Sequence, residues 1–257
     1  MIITTAGRTK ASLTERARQL SNQYNLHYVT RKKDSITALK RQYQQDVLVV
    51  GSDQLYLSPL HQTEKVFFHP SLAMIRAKRI ANGESDTFIS ATGLKTGMSL
   101  LDCTLGLACD STIASLVVGE AGKVTGLEGS ASLSILLKEG LSTLDTGFPI
   151  LNEAMRRIEV IGLEHLSHLQ TLPDNSYDVV YFDPMFTETI TESIHIQALQ
   201  GTVLSNSLSE LTIEEAKRVA SRRVVLKDHW QSKRFVQFGF TQLKRKTSLF
   251  HYGIMDI

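Results

Sequence analysis

The stretch YDVVYFDPMF, Tyr177 to Phe186, runs a series of apolar residues straight into an aspartate, a proline and an aromatic ring. These types have complementary chemistry. The Asp183 carboxylate accepts hydrogen bonds, so it could hold the N–H groups of an exocyclic amine whose lone pair is delocalised into a nucleobase. Pro184 fixes φ and has no backbone N–H to compete, which leaves its carbonyl as a second acceptor. Phe186 offers a flat face to an extruded base, an interaction worth roughly 1–3 kcal/mol, and would offset part of the unstacking penalty. Met185 could pack beside it. The same letters also describe a strand that stops at Pro184 with Phe186 in the core.

Two other acids decide between these readings. In SLLDCTLGLACDSTIAS, a short apolar run ends in Asp102, Gly106 follows in a tight turn, and a helix begins near Asp110. That is how a doubly wound fold offers backbone amides to a ligand at a strand's carboxyl end. A dinucleotide site would want G-x-G-x-x-G, whereas the three positions here are Gly106, Ala108 and Ser111, which disfavours NAD or FAD. The next run, KVTGLE, ends in Glu128, where an acid would accept hydrogen bonds from both hydroxyls of a ribose. Acids after two successive strands suit a nucleoside with a cationic amino-acid tail, and the ligand of that description is S-adenosylmethionine. Methyl transfer from a sulfonium to nitrogen needs in-line alignment and a place for the proton rather than covalent help. In VIGLEHLSHL, Glu164 or His165 could meet the adenine edge, and in RRVVLKDHW Lys227 could meet phosphate or the substrate base. His165 and His168 have a helical metal spacing but no third ligand, so no metal is expected.

These residues need a sheet whose strand ends converge. From Ser99 onward, SLLDCT, KVTGLE, RIEVIG, YDVVYFD and RRVVLK are short β-branched or leucine-rich runs separated by helical segments, the pattern of a parallel sheet with crossover helices. The C-terminal FVQFGFTQLKRKTSLFHYGIMDI reads as two strands joined by a basic turn, an antiparallel pair closing one edge. Residues 1–85 read as a smaller α/β domain: strands at MIITT, LHYVT and DVLVVG, with helices at about 12–24 and 35–43. Gly83 and the polar GESDTF mark the boundary, and residues 86–257 form the second domain.

Composition limits the alternatives. The 257 residues are 42% hydrophobic, enough to fill a real core. No apolar run approaches the roughly 18 residues of a membrane span, and the N-terminus lacks a secretory pattern, so the expectation is a cytoplasmic protein without a membrane partner. Cys103 and Cys109 fit neither a disulfide framework nor a usual zinc spacing. The net charge is only +2, but up to Arg41 nine cations, among them Arg31, Lys32 and Lys33, face only Glu15 and Asp34. That is either a phosphate-facing surface or a set of solvated helix faces.

From about Phe67 to the end, the chain resembles the bacterial small-subunit ribosomal RNA guanine-N2 methyltransferases of the J type, within the Rossmann-like S-adenosylmethionine-dependent class. LDCTLGLACDS, GLEGSASLSILLKEGL, YDVVYFDPMF and RRVVLK carry the resemblance, in the family's order, and DPMF is the most specific. It implies a Rossmann-like methyltransferase sheet, S-adenosylmethionine as cofactor, and guanine N2 of 16S ribosomal RNA, naked or in the small subunit, as acceptor. By position it implicates Cys109 with Asp110, Glu128 with Gly129, Glu164 with His165, and Asp183 as cofactor contacts. The chain departs from the family at Ala108, where a glycine is expected, and at Cys109 and Gly129, where arginine is usual. The first 65 residues carry no such resemblance. Two other readings use the same residues: a methyltransferase for another acceptor, such as adenine N6, a protein side chain or a small molecule, and a non-catalytic RNA-binding assembly factor.

Overall fold

A computed structural model describes residues 1–7, 10–184 and 208–257, and their contacts divide them into two units. The first comprises Met1–His69 with Ser130–Thr143. Its strands β1 (Ile2–Thr5) and β3 (Val47–Val50) are buried at every position, as parallel neighbours covered on both faces must be. With β2 (His27–Tyr28), β4 (Leu55–Ser58) and β5 (Val66–Phe67) they form a sheet in the order β2-β1-β3-β4-β5, in which β4 and β5 are antiparallel. Helices α1 (Ala11–Gln23) and α2 (Ile36–Tyr43) connect the parallel strands, and α2 starts where Ser35 Oγ accepts the Ala38 N–H. A later helix, α6 (Ala131–Thr143), packs on β4.

The second unit comprises Pro70–Gly129 and residues 144–184 and 208–257. After α3 (Ser71–Ala81) and α4 (Thr87–Thr92) come β6 (Ser99–Asp102), α5 (Cys109–Val118) and β7 (Lys123–Leu127). Next are α7 (Pro149–Arg156), β8 (Ile158–Ile161), α8 (His165–Leu169) and β9 (Tyr177–Phe182). The chain closes with α9 (Glu210–Val219), β10 (Ala220–His229), α10 (Arg234–Gln237), β11 (Thr241–Leu243) and β12 (Phe250–Asp256). The seven strands order as β11-β12-β10-β9-β6-β7-β8; β10 through β8 run parallel, while β12 is antiparallel to both β10 and β11. The mostly parallel sheet with its antiparallel C-terminal pair is the architecture read from the sequence.

The core of this unit explains why the strands read as they do. Leu101, Val180, Phe182, Val224 and Leu226 come from the three central strands and meet Ile213, Ala216 and Val219 of α9. Burying each large side chain is worth roughly 1.5–3 kcal/mol, so the register is strongly specified. It pairs Asp102 with Tyr181 and Leu226 with Phe182, which brings the carboxyl ends of β6 and β9 level with each other and beside Leu226 of β10, which runs on to His229. Strand order reverses between β6 and β9, and such a reversal opens a crevice at the strand ends. Among the described residues no helix is long and apolar enough to cross a membrane, and no group of three or more His, Cys, Asp or Glu could hold a metal.

Candidate active site

The carboxyl edge of the parallel strands gathers most of the residues singled out from the sequence. Asp102 ends β6, is 2% exposed, and accepts from the Thr104 N–H (3.0 Å) and the Ser111 hydroxyl (2.7 Å). Burial pushes its carboxyl up to about 7 against those two hydrogen bonds, and the nearby Asp110 and Asp183 raise it further. The loop that follows turns through two left-handed residues, Gly106 (φ 52°) and Ala108 (φ 58°), before α5 begins. Leu105 of this loop donates its N–H to Leu127 at the end of β7 (3.0 Å). It lies so close to Gly126 that a Cβ there would stand 2.4 Å from Leu105 Cδ1.

Glu128 follows β7, is 5% exposed, and its backbone N–H bonds to Ile161 at the end of β8 (3.0 Å). Gly129 comes next, on the surface. Beyond β8, Glu164 caps α8: its carboxylate accepts from the Ser167 N–H (3.0 Å) and lies 3.3 Å from His165 Nε2. His165 is buried edge-on to Phe182, and burial lowers its basicity although Glu164 opposes this. A buried acid at the end of β6 beside an amide-rich turn, and a second at the end of β7, form a donor and acceptor set that fits a nucleoside with a cationic amino-acid tail.

Asp183 and Pro184 follow β9, and Met185 and Phe186 lie outside the described residues. The Asp183 N–H donates to Thr104 Oγ1 (2.5 Å), so one threonine ties the end of β6 to the end of β9 through its amide and its hydroxyl. Lys227 of β10 donates to Asp183 Oδ2 (2.6 Å) and to Asp110 Oδ2 (3.2 Å). Burial alone would lower the Lys227 ammonium, but the two carboxylates hold it well above its usual range. Asp183 is raised by burial and by Asp110, with Lys227 pulling the other way.

Asp110, expected to contact the cofactor, has both oxygens engaged within the protein. Arg76 Nη1 meets Oδ1 (2.5 Å), and the Tyr181 hydroxyl (2.7 Å) and Lys227 meet Oδ2. Burial would raise this carboxyl, yet Lys227 and Arg76 bring it down to about 2. Arg76 also forms a two-pronged pair with Asp86 (2.8 and 2.9 Å) and packs over the Phe88 ring, which stacks edge-on against Tyr181 at 4.9 Å. Cys109 Sγ lies 3.4 Å from Arg76 Nη1; burial and Asp110 push its thiol up to about 11, and Arg76 opposes them.

Arg76, Thr104, Ser111 and Tyr181 were not legible as site residues. Only Tyr181 left a signal: two residues before Asp183 on a strand, it falls on the same face. Arg76 sits on a different helix, paired with an acid 34 positions away, a relationship that no local pattern carries.

A family model described as "Putative SAM-dependent methyltransferase" matches residues 31–248. The Bacillus subtilis (strain 168) protein YpiP is 46% identical over 255 residues, 99% of each chain. The ribosomal RNA small subunit methyltransferase J of Mannheimia succiniciproducens is 26% identical over 160 residues, 60% of this chain and 62% of that one. Among solved structures, a SAM-dependent methyltransferase of Neisseria gonorrhoeae superposes with a TM-score of 0.62 at 17% identity, covering 100% of this chain and 96% of that one. The chain belongs to the SAM-dependent methyltransferase family matched over residues 31–248, and its cofactor is S-adenosylmethionine.

Proposed function

We propose that the protein methylates an exocyclic amine of a nucleobase, guanine N2 of small-subunit ribosomal RNA, with Asp183 as the residue that holds the amine. The supporting observation is the setting of Asp183. It follows the strand beside the topological switch point, with its amide fixed by Thr104 and its carboxylate turned to Lys227. The relatives named ribosomal RNA small subunit methyltransferase J support the choice of RNA.

Asp102, the turn through Gly106 and Ala108, Glu128 and the Glu164–His165 corner would hold S-adenosylmethionine, which supplies a methyl group already activated on a sulfonium. The protein's own residues then act on the acceptor. Asp183 and the Pro184 carbonyl accept the two N–H bonds of the amine and fix its orientation. Once methyl had passed from the sulfonium to nitrogen, its S–C bond pair staying on sulfur, the nitrogen would be cationic and would give up a proton, which Asp183 would accept and pass to water. Its raised carboxyl suits that role. Lys227 keeps Asp183 in position, and Asp110 with Arg76 keeps Lys227 in position. Phe186 is the candidate stacking face for the base.

Transfer of labelled methyl to unmodified 16S RNA and small subunits, followed by nucleoside identification, tests this reading. N2-methylguanosine is expected with wild type, and no label with Asp183→Ala although that variant keeps its fold. Activity retained by Asp183→Ala would remove the mechanism, and a different methylated nucleoside would remove the guanine assignment.

A further inference from the structure

Beyond the end of β10 the chain presents a surface that the transfer chemistry does not use. Trp230 directly follows β10 and is 46% exposed, an unusual place for a large aromatic ring. Across from it, the turn between β11 and β12 carries Lys244, Arg245 and Lys246 in succession, all exposed. Trp230, His251 and residues 245–249 line a concavity of about 500 Å³.

The turn is built rather than loose. Trp230 donates its N–H to the Leu249 carbonyl (2.9 Å), and Gln242 Nε2 donates to the Trp230 carbonyl (2.7 Å). His251 braces the turn through both ring nitrogens: Nδ1 lies 2.9 Å from Gln242 Nε2, and Nε2 lies 2.9 Å from the Arg245 carbonyl oxygen and 3.1 Å from the Arg245 backbone nitrogen. These bonds hold the backbone, Arg245 Nη1 donates to the Ser248 hydroxyl (3.3 Å), the indole lies 6.0 Å from the His229 ring, and Trp230 and residues 244–246 remain exposed. Among the arginines of this unit, Arg218 pairs with Asp174 and Glu215, Arg223 with Asp256, and Arg234 with Asp228. Among the described residues no carboxylate comes within ion-pair distance of Lys244, Arg245 or Lys246. Three unpaired cations beside an exposed indole match a single-stranded nucleic acid, whose phosphates need charge and whose bases need a stacking face.

Position strengthens the match. β9 and β10 run parallel, so Trp230 stands at the same sheet edge as Asp183. It is three residues past Lys227, about 10 Å along an extended chain. We propose that Trp230 and the 244–246 turn dock the single-stranded RNA flanking the target nucleotide, Trp230 stacking on a neighbouring base while the turn takes its phosphates. This rests on the RNA reading above and names where that RNA is held.

The test is fluorescence anisotropy of a labelled single-stranded oligoribonucleotide over a salt series, with full-length wild type, Trp230→Ala, Trp230→Phe and Lys244→Gln/Arg245→Gln/Lys246→Gln. Trp230→Ala should weaken binding at least about fivefold, the loss of one stacked base, and Trp230→Phe should restore most of it. The triple variant should flatten the dependence of log K on log salt by about 2, roughly 0.7 per phosphate contact removed. Thermal midpoints and S-adenosylmethionine affinity should stay at wild-type values, and in the transfer assay KM for RNA should rise at unchanged kcat. An unchanged salt slope, unchanged affinity for Trp230→Ala, or no wild-type binding to the oligonucleotide overturns the docking surface. Wild-type methylation of RNA with indifferent variants would sink this proposal alone, whereas variant-sensitive binding without RNA methylation would keep the surface and sink the functional reading.

Discussion

Asp102 is buried with both carboxylate oxygens bonded, and its carboxyl stands near 7 rather than near the 3.8 of a free aspartate. A carboxyl raised by folding stabilises the fold below its unfolded value, and that contribution is lost as pH climbs through the folded one. The window here is therefore about pH 4 to 7. Asp102→Asn keeps the shape and can satisfy Thr104 and Ser111, so its thermal midpoint should overtake that of wild type above pH 7. The gain should be on the order of a few kcal/mol, readable by melting curves at pH 5 and pH 8. Cofactor binding has the opposite sign if Asp102 meets a cationic tail: affinity of wild type should tighten from pH 6 to pH 8, and Asp102→Asn should flatten that profile. Calorimetry at the two pH values checks this, and equal slopes would remove Asp102 from the cofactor's ammonium. The acids and Lys227 were legible because each closes an apolar run. Their pairing was not, because charge partners are chosen in space.

The loop between β6 and α5 shows what an element contributes. Family resemblance expects glycine where Ala108 stands, and the structure gives the reason: φ is 58°, a region that strains a side chain by roughly 1–2 kcal/mol. Ala108→Gly should relieve that strain against roughly 0.5–1 kcal/mol of added freedom in the unfolded chain. The net gain lies between zero and about 1.5 kcal/mol, measurable by denaturant titration. Gly126 has the reverse need, since any side chain would collide with the buried Leu105. Gly126→Ala should force the loop off β7 and destabilise by roughly 1–3 kcal/mol, with weaker cofactor binding in the same titrations. Arg76 links elements instead of shaping one. Its removal leaves Asp86 and Asp110 without their cation, so Arg76→Met should lose about 3–5 kcal/mol, seen as a lower denaturation midpoint.

At the scale of the whole molecule, chain order and contact order diverge. α6 has the pattern of an ordinary crossover helix, yet its contacts belong to the first unit: the Ser132 hydroxyl bonds Asp46 (2.7 Å), Tyr24 bonds Glu139 (2.7 Å), and Gly140 lies against Phe68. A fragment ending at His69 lacks all three, so it should show no cooperative thermal transition by circular dichroism while the full chain does; a sharp transition in the fragment would make α6 dispensable. The sequence by itself determined the alternation of strands and helices, the parallel sheet with its antiparallel C-terminal pair, and the acids that close each strand. Those features are written in local periodicity and in the residue types at strand ends. Only the tertiary structure decided that Asp110 serves Arg76, Tyr181 and Lys227, that Thr104 joins Asp102 to Asp183, and that α6 packs on β4. The physical reason is that a buried charge or hydroxyl must find a partner wherever the packed core places one, and sequence distance does not enter that choice.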